Sequence, residues 1–350
     1  MYGFISDLHL GTKLNPKDYL ESLDKFFDIL KSSKTKCKRI FVCGDLFDHK
    51  LSIDEMHFTS VFLLNLVQNR CGKNDTHVPV DFVHGTYTHD YDQYPIYLNL
   101  LKHIPGVEVN YYTEATIMVH DNIRILYLPQ EYGKKDYTSF FEQEYDIIVG
   151  HGPISSKTKN PCPIGKYEIL HSAELLGSIS KICVFGHYHG YTDFGNNVFY
   201  AGPWLRWRYG EDIDRVFFFC DNNYQMKCVD NNIAKIYKTL TVNDPEELRK
   251  ILADDLTTPH RFDIITNDEN IDVFRAIINT HRKNENLVWR LQTNIEFIQP
   301  VSIQQQVSLL TDDDKIESLI SYIDEHYNIN ASKEVYSYNE KINISKGNEL

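Results

Sequence analysis

The sequence predicts an α/β fold arranged in layers, followed by a smaller α/β module and a helical tail. Short runs of β-branched and aromatic residues alternate with segments whose apolar residues recur at helical spacing. Several of these runs lead directly into loops that contain Gly, Asp and His. Repetition of strand, loop and helix in this order is typical of sheets that are covered by helices.

Five strands are predicted between residues 2 and 185, and each ends in a polar loop. The strand runs cover residues 2–5, 40–42, 80–83, 147–149 and 182–185. Their loops read Asp7-Leu8-His9, Gly44-Asp45-Leu46-Phe47-Asp48, Gly85-Thr86-Tyr87-Thr88-His89-Asp90, Gly150-His151-Gly152 and Gly186-His187-Tyr188-His189. Because loops at the carboxyl ends of strands in an α/β sheet converge on one crevice, we expect these side chains to share one site.

The remaining elements of the first domain are predicted from apolar spacing. Residues 16–33 and 53–68 have the helical pattern, and each segment follows one of the polar loops. Residues 194–201 and 215–221 are predicted as antiparallel strands that close the domain. We therefore assign residues 1–230 to the first domain.

A second module is predicted over residues 231–298. Asp244, Pro245 and Glu247 supply the N-cap acid, the first-turn proline and the reciprocal glutamate that begin a helix. Around it, strands and a further helix are predicted at residues 235–242, 261–265, 271–280 and 287–297. The order strand, helix, strand, helix, strand indicates a small α/β domain.

Residues 299–350 are predicted as a linker and a terminal helix. Pro300 disfavours continuation of the preceding strand, and a polar stretch follows it. Residues 312–327 then form an amphipathic helix that begins with acids and carries one apolar stripe. That stripe either docks on the chain's own domain or binds a partner protein.

Composition limits the classes of function. The formal net charge of −13 argues against DNA binding through bulk electrostatic attraction alone, because phosphates require a basic face. No apolar run approaches the roughly 20 residues of a membrane span, so we expect no contact with a membrane. Seven cysteines without paired spacing indicate buried thiols in a reducing compartment, and we expect a cytoplasmic protein.

The residue types in the five loops favour a metal centre. Carboxylates and imidazoles without a thiolate cluster suit Mn, Fe, Zn or Mg better than Cu(I) or an iron–sulfur cluster. Two such ions about 3.5–4 Å apart can share one carboxylate and hold the oxygens of a displacement at phosphorus. Asp45 is the candidate for the shared ligand. A lone Asp-x-His or Gly-His-Gly is more often structural and Gly-His-x-His is evenly balanced, but five such loops in this order make coincidence a poor explanation.

Taken together, the five loops resemble the motifs of the calcineurin-like metallophosphoesterases. Within that superfamily the chain is most similar to the SbcD-type nuclease subunit, the meiotic-recombination-eleven family, including its phage counterparts. The narrower resemblance rests on Gly44-Asp45-Leu46-Phe47-Asp48 and on Tyr200-Ala201-Gly202-Pro203-Trp204-Leu205-Arg206. It covers residues 1–215 well and the rest only in outline. The resemblance implies a four-layer α+β sandwich with a DNA-capping domain at residues 231–298.

The resemblance also implies a set of ligands and a cofactor. One metal ion would be held by Asp7, His9, Asp45 and His189. The other would be held by Asp45, His151 and His187. Manganese is the favoured ion, with Mg, Fe or Zn as alternatives.

Two further residues acquire catalytic roles from the resemblance. His89 matches the histidine that stabilises the transition state or protonates the leaving oxygen. Asp48 occupies the position beside that histidine, and we expect it to orient or tune His89.

One departure from the family pattern concerns the third loop. The family has Gly-Asn-His-Asp there, and its Asn completes the second metal site. In this chain the loop is two residues longer and lacks the Asn, so either Thr88 or Thr86 takes that position. A hydroxyl is a weaker donor to a cation than an amide carbonyl, so the second ion would bind less tightly or through water. Two hypotheses follow: a site that is altered but active, or a degraded one.

Arg206 and Arg208 are weaker candidates for binding substrate. They alternate with Trp204, Trp207 and Tyr209 and could contact phosphates while the rings stack on bases or sugars. In the alternative interpretation, the aromatic residues pack beneath the site and the arginines pair with nearby acids.

The sequence thus predicts a metal-dependent DNA exonuclease or endonuclease subunit that acts in DNA repair and recombination. The resemblance implies a homodimer formed through the first helices. It also implies an SMC-like ATPase partner, related to SbcC, bound by the C-terminal helix. If the protein is viral, it would act in the host cytoplasm. The alternatives are a phosphodiesterase or phosphatase for a small molecule, and a DNA-end-binding scaffold whose altered third loop has lost catalysis.

Overall fold

The computed structural model describes residues 1–12, 16–72, 76–131, 133, 135–159, 168–207, 214–234, 238–253, 260–266, 269–284 and 287–293. Its helices are α1 (Pro16–Ser32), α2 (Ile53–Gln68), α3 (Tyr87–Asp90), α4 (Tyr94–Leu101), α5 (Thr138–Phe141), α6 (Ala173–Ile179), α7 (Pro245–Ala253) and α8 (Ile271–His281).

The first strands are β1 (Tyr2–Ile5), β2 (Arg39–Cys43), β3 (Val80–Val83), β4 (Val109–Tyr112), β5 (Thr116–His120), β6 (Ile123–Leu128), β7 (Tyr145–His151), β8 (Ile154–Ser155) and β9 (His171–Ser172). They are followed by β10 (Ser180–Gly186), β11 (Thr192–Gly195), β12 (Val198–Tyr200), β13 (Val216–Cys220), β14 (Met226–Asp230), β15 (Lys238–Val242), β16 (His260–Thr266) and β17 (Leu287–Thr293).

Two mixed sheets of six strands form the centre of the described structure. The first has the order β14-β13-β1-β2-β3-β4, and the second has the order β11-β12-β10-β7-β6-β5. Strands β1 to β4 are parallel to one another, as are β6, β7, β10 and β12. The strands that carry the polar loops therefore point the same way within each sheet, which brings their carboxyl ends to one edge.

The sheets stack face to face, and helices cover both outer faces. Alternate residues along a strand point to opposite faces, so Phe4 and Phe41 pack between the sheets while Ile5 and Val42 face the helices. Helices α1, α2 and α4 cover the first sheet, and α6 covers the second. The result is a layered α/β sandwich, as the sequence predicts, and its cores are aromatic and aliphatic.

Both long helices of the first domain lie where apolar spacing predicts them. Helix α1 begins at a proline, which has no backbone N–H to leave without an acceptor, and buries Leu23, Phe27 and Leu30. Helix α2 follows Ser52, whose backbone N–H donates to the Glu55 carboxylate at 2.7 Å. A fully buried Leu or Phe side chain, such as Leu23 or Phe27, contributes about 1.5–3 kcal/mol to the free energy of unfolding.

The prediction of a single strand over residues 194–201 is wrong. The segment forms a hairpin in which β11 and β12 are antiparallel. Asn196 and Asn197 form its turn with φ of 52° and 60°. Asparagine tolerates this left-handed conformation, and two such residues in succession form the tight turn that matches strand twist. The sequence analysis did not predict strands β4 to β6, β8, β9 and β14.

The smaller module forms a parallel three-stranded sheet with the order β15-β16-β17. Helices α7 and α8 pack on it around Phe262, Leu248 and Phe274. The Asp244 carboxylate accepts from the backbone N–H groups of Glu246 and Glu247 at 3.1 and 3.3 Å, so it is the predicted N-cap. The predicted order of strands and helices is thus confirmed. The predicted helix at residues 312–327 lies outside the described residues.

Two predictions concern the environment of the chain. Within the part of the chain that the structure describes, no helix has both the length and the apolar character to cross a membrane. Six of the cysteines are described, all as free thiols, and five of these are buried: Cys37, Cys43, Cys71, Cys183 and Cys220.

Candidate metal centre

The loops after β1 and β2 are joined by their backbones. Asp7 N–H donates to the Gly44 carbonyl at 3.1 Å, and His9 N–H donates to the Asp45 carbonyl at 3.0 Å. These bonds continue the parallel pairing of the two strands beyond their ends. As a result, Asp7, His9 and Asp45 lie side by side at the edge of the first sheet.

Glycines allow the loops of the two sheets to approach closely. Gly44 has φ of +78°, and a Cβ there would lie 2.3 Å from Nδ1 of His151, which belongs to the second sheet. At Gly186 a Cβ would lie 2.2 Å from the carbonyl oxygen of Cys43. No other residue type fits at such separations, so these glycines permit the contact between the sheets that assembles the site.

Four of the six predicted metal ligands have a backbone in the left-handed region. The φ angles are 49° at Asp7, 46° at His9, 47° at Asp45 and 112° at His187. Non-glycine residues adopt positive φ uncommonly, and such strain persists only where the surrounding structure imposes it. Its concentration in these residues indicates a functional site.

The first group of possible ligands consists of Asp7, His9 and His189. One ligand atom from each residue lies within 4.8 Å of the others. The buried His9 imidazole donates from Nδ1 to the Asp48 carboxylate at 3.1 Å, while its Nε2 has no hydrogen-bond partner among the described residues. Because a buried nitrogen without a partner is costly, a cation at Nε2 would satisfy it. The residues of this group therefore fit a metal ion.

The second group consists of Asp7, Asp45 and His151, again within 4.8 Å of one another. His151 donates from Nδ1 to the Cys43 carbonyl at 2.7 Å, which leaves its Nε2 facing Oδ1 of Asp45 at 3.3 Å. A backbone carbonyl at Nδ1 is the usual support for a histidine that binds a metal through Nε2. The His187 ring lies 5.4 Å from the His151 ring, centroid to centroid.

Asp7 is the residue that the two groups have in common, and Asp45, a member of the second group, also faces His9 of the first. Its Oδ1 lies 3.3 Å from Nε2 of His151, and its Oδ2 lies 3.6 Å from Nε2 of His9. Burial acts to raise the pKa of Asp45, but the imidazoles of His151 and His9 hold it below its usual range. Asp45 is therefore a carboxylate with one oxygen directed toward each group.

The other pKa shifts follow from burial and from neighbouring charge. Burial raises the pKa of Asp7 to about 6, against the opposing charge of His151. Burial would lower the pKa of His151, but Asp45 raises it to about 9. Burial, and then repulsion from His151, lowers the pKa of His187 to about 4. Without a metal ion, His187 is therefore neutral at pH 7 while His151 is protonated, and binding of a metal ion at His151 would release that proton.

His89 lies on α3 beside the first group. Its Nδ1 donates to the backbone carbonyl of Asp48 at 2.7 Å, and its ring centroid lies 4.6 Å from that of His9. Asp48 thus lies beside His89 as the sequence predicts, but it contacts this histidine through the main chain. Its carboxylate instead binds Nδ1 of His9 and Nδ1 of His49, each at 3.1 Å.

Asp90 fixes the loop that carries His89. This buried carboxylate accepts from the N–H groups of Gly85 and Phe47 at 2.7 and 3.2 Å, and from the Tyr94 hydroxyl at 3.0 Å. It therefore joins the loop after β3 to the loop after β2.

The structure distinguishes between the two threonines of the third loop. Thr86 donates its N–H to Oδ1 of Asp45 at 2.6 Å, and its hydroxyl lies 3.2 Å from Oδ2 of Asp45 and 3.5 Å from Nε2 of His151. Thr88 is exposed. Thr86 is therefore the threonine beside the second group.

Gln130 and Glu168 also lie at this group, although the sequence analysis did not select them. The buried Gln130 amide accepts from the Thr86 hydroxyl at 2.9 Å and donates to Oε1 of Glu168 at 2.9 Å. That oxygen of Glu168 lies 3.9 Å from Nε2 of His187. Gln130 follows β6, which is parallel to β7, so its position at a strand end was a usable signal.

The structure describes one of the two candidate substrate-binding arginines, Arg206. Arg206 is only 6% exposed; its guanidinium donates to the Ala234 carbonyl at 3.0 Å and lies 3.8 Å from the Asp214 carboxylate. These contacts favour the structural alternative for Arg206. Arg208 lies outside the described residues. Trp207 packs against two candidate ligands, with ring centroids 4.2 Å from His9 and 4.1 Å from His189.

Comparison with known proteins adds no family assignment. No protein-family model matches the chain, and no curated protein matches it.

Proposed function

We propose that the chain is a metal-dependent phosphodiesterase and that it acts as a DNA exonuclease or endonuclease subunit of the SbcD type. The observation that carries the proposal is the position of Asp45, whose two oxygens face different histidines, His151 and His9. A carboxylate shared between two clusters of nitrogen and oxygen donors is the arrangement that serves phosphoryl chemistry at two ions.

The residues present fit two divalent ions, with manganese the favoured metal. As the resemblance implies, Asp7, His9, Asp45 and His189 would hold one ion, and Asp45, His151 and His187 would hold the other. Ligand atoms of Asp7, His9 and His189, and those of Asp7, Asp45 and His151, lie within 4.8 Å of one another. When bound, such ions supply Lewis acidity that makes water nucleophilic at neutral pH and neutralises charge on the phosphate.

His89 would move the proton in this reaction. Its Nδ1 is occupied by the Asp48 carbonyl, so Nε2 is the atom that can hold a proton and give it to the leaving oxygen. The bond to a main-chain carbonyl fixes both the tautomer and the ring orientation. Asp90 holds the loop of His89 against the loop of Asp45, so that donor and ligands keep their relative positions.

DNA is the proposed substrate, and the module of β15 to β17 is the proposed capping domain. A homodimer through the first helices is supported by exposed apolar side chains on α2 and α4. These are Ile53, Leu64, Ile96 and Leu100. The proposed contact with an SMC-like ATPase depends on residues 312–327.

Digestion of end-labelled linear DNA with Mn²⁺ tests the proposal. The purified chain should digest DNA only when the metal is present, and Asp45→Ala and His89→Ala should abolish the activity. Asp24→Ala and His103→Ala, which alter exposed residues away from the site, serve as matched controls. A chromogenic phosphodiester is assayed in parallel. Its cleavage without digestion of DNA would favour a small-molecule phosphodiesterase, and a chain that binds metal but cleaves neither substrate would overturn the enzymatic proposal.

A further inference from the structure

The sequence motifs predict four ligands for the first ion but only three, Asp45, His151 and His187, for the second. Thr86 lies where an amide would complete the group, but a neutral hydroxyl is a weak ligand for a divalent ion. The Thr86 hydroxyl is itself bonded to an amide oxygen, Oε1 of Gln130, at 2.9 Å. A second-sheet residue therefore brings an amide carbonyl to the side of the group where the third loop lacks one.

The orientation of the Gln130 amide is determined by its neighbours. The carboxylate of Glu168 can only accept hydrogen bonds when ionised, so the Gln130 nitrogen must face it. The oxygen of the same amide must then face Thr86 and, beyond it, Asp45 and His151. Glu168 thus presents the carbonyl end of Gln130 to the metal group.

The Thr86 hydroxyl can stop donating to Oε1 of Gln130 and still keep a hydrogen-bond acceptor. Its hydroxyl has a single proton and two acceptors within reach, Oδ2 of Asp45 at 3.2 Å and Oε1 of Gln130 at 2.9 Å. When the proton is donated to Asp45, both lone pairs of Oε1 of Gln130 become available to a cation.

We propose that Gln130 completes the second metal group with its amide oxygen and that Glu168 is the positioning residue that orients it. This inference rests on the proposed function, because it presumes that the group binds a divalent ion.

Mn²⁺ binding to the full chain tests the inference without an activity assay. Isothermal titration and the electron paramagnetic resonance signal of free Mn²⁺ give the number of ions and the affinity of each. The parent chain should bind two ions. Gln130→Leu keeps the approximate volume but removes the amide, and should weaken the second ion about tenfold or more while leaving the first unchanged. Gln143→Leu is the matched control, because Gln143 lies just before β7, whose other end carries His151.

An exchange of the two side chains separates coordination from packing. Glu168→Gln alone should weaken the second ion less than Gln130→Leu does, because it disturbs only the orientation of the amide. The double variant Gln130→Glu with Glu168→Gln keeps the charge, the hydrogen bond and an oxygen toward the ion, so it should restore the affinity. Circular dichroism checks that each variant folds. If Gln130→Leu does not fold, the affinity of the double variant tests whether Gln130 is a ligand.

The possible failures are distinguishable. If the parent chain binds no Mn²⁺, the proposed function fails. If the parent binds two ions and Gln130→Leu binds both with unchanged affinity, only the role of Gln130 fails. A larger loss in Glu168→Gln than in Gln130→Leu would overturn the inference by making Glu168 the ligand.

Discussion

The two halves of the candidate metal centre are built differently. The first group draws its ligands from Asp7-Leu8-His9 and from His189, and the carboxylate of Asp48 supports His9. The second group depends on contacts between the two sheets, such as the bond from His151 to the Cys43 carbonyl and the chain from Thr86 through Gln130 to Glu168. A motif specifies the first group almost completely, whereas the second needs partners that no local pattern reveals.

The difference teaches that a missing motif residue does not establish a degraded site. The third loop lacks an amide ligand, yet its Thr86 contacts Asp45 and connects to the amide of Gln130, which follows β6. Supporting residues around ligands strongly affect metal affinity, so the second group should be judged by its whole environment.

The largest expected effect comes from Asp45, which we propose as a ligand of both ions. Asp45→Asn removes the negative charge between His9 and His151 while keeping the shape of the side chain. Loss of two ions that each supply several kcal/mol should reduce DNA cleavage by on the order of 10⁴-fold. Mn²⁺ titration should show neither ion bound with the parent affinity. An unaltered affinity for either ion would mean that the two groups do not share this carboxylate.

His89→Gln should separate catalysis from metal binding in both groups. Loss of a proton donor commonly costs about 10³-fold in rate, and His89 is not assigned as a ligand. Single-turnover cleavage should slow by that order while titration still shows two bound ions. A concurrent loss of an ion would place His89 in the first group instead, a result compatible with its position within 4.8 Å of His9.

Asp48→Ala should weaken the first group selectively. The variant removes the carboxylate that orients His9 but keeps the main-chain carbonyl that holds His89. We expect roughly 10–100-fold lower affinity for the first ion and no change for the second. His49→Ala, which removes the other partner of Asp48, is the control. Equal weakening of both ions would contradict the independence of the groups.

The smallest expected effect concerns the loop that lies between the groups. Tyr94→Phe deletes a buried hydrogen bond to Asp90 and should lower the free energy of unfolding by about 1–3 kcal/mol, measured by urea denaturation. Tyr97→Phe is a matched control, because the Tyr97 hydroxyl has no partner among the described residues. Since Gly85 and Phe47 still bind Asp90, Mn²⁺ affinity should not change. A marked loss of either ion would show that this loop supports the ligands themselves.

Much of the fold was predictable because its signals are local. Periodic burial determines helices and strands, so α1 and α2 lie within a residue of their predicted ends, and polar residues mark the strand ends. The failure at residues 194–201 has a local cause as well. Gly195, Asn196 and Asn197 form a turn signal between Phe194 and the apolar run at residues 198–201, and this signal divides the segment into two strands.

The sequence by itself determined the types of the candidate ligands and their positions at strand ends, because both are properties of short segments. Only the tertiary structure decided that Thr86 rather than Thr88 lies at the second group, and that Asp48 contacts His89 through its carbonyl. It also decided that Arg206 is buried and that Gln130 reaches Thr86. These facts depend on distances between loops of two separate sheets. Such distances depend on how the two sheets stack, and the spacing of residues along the chain does not reveal that stacking.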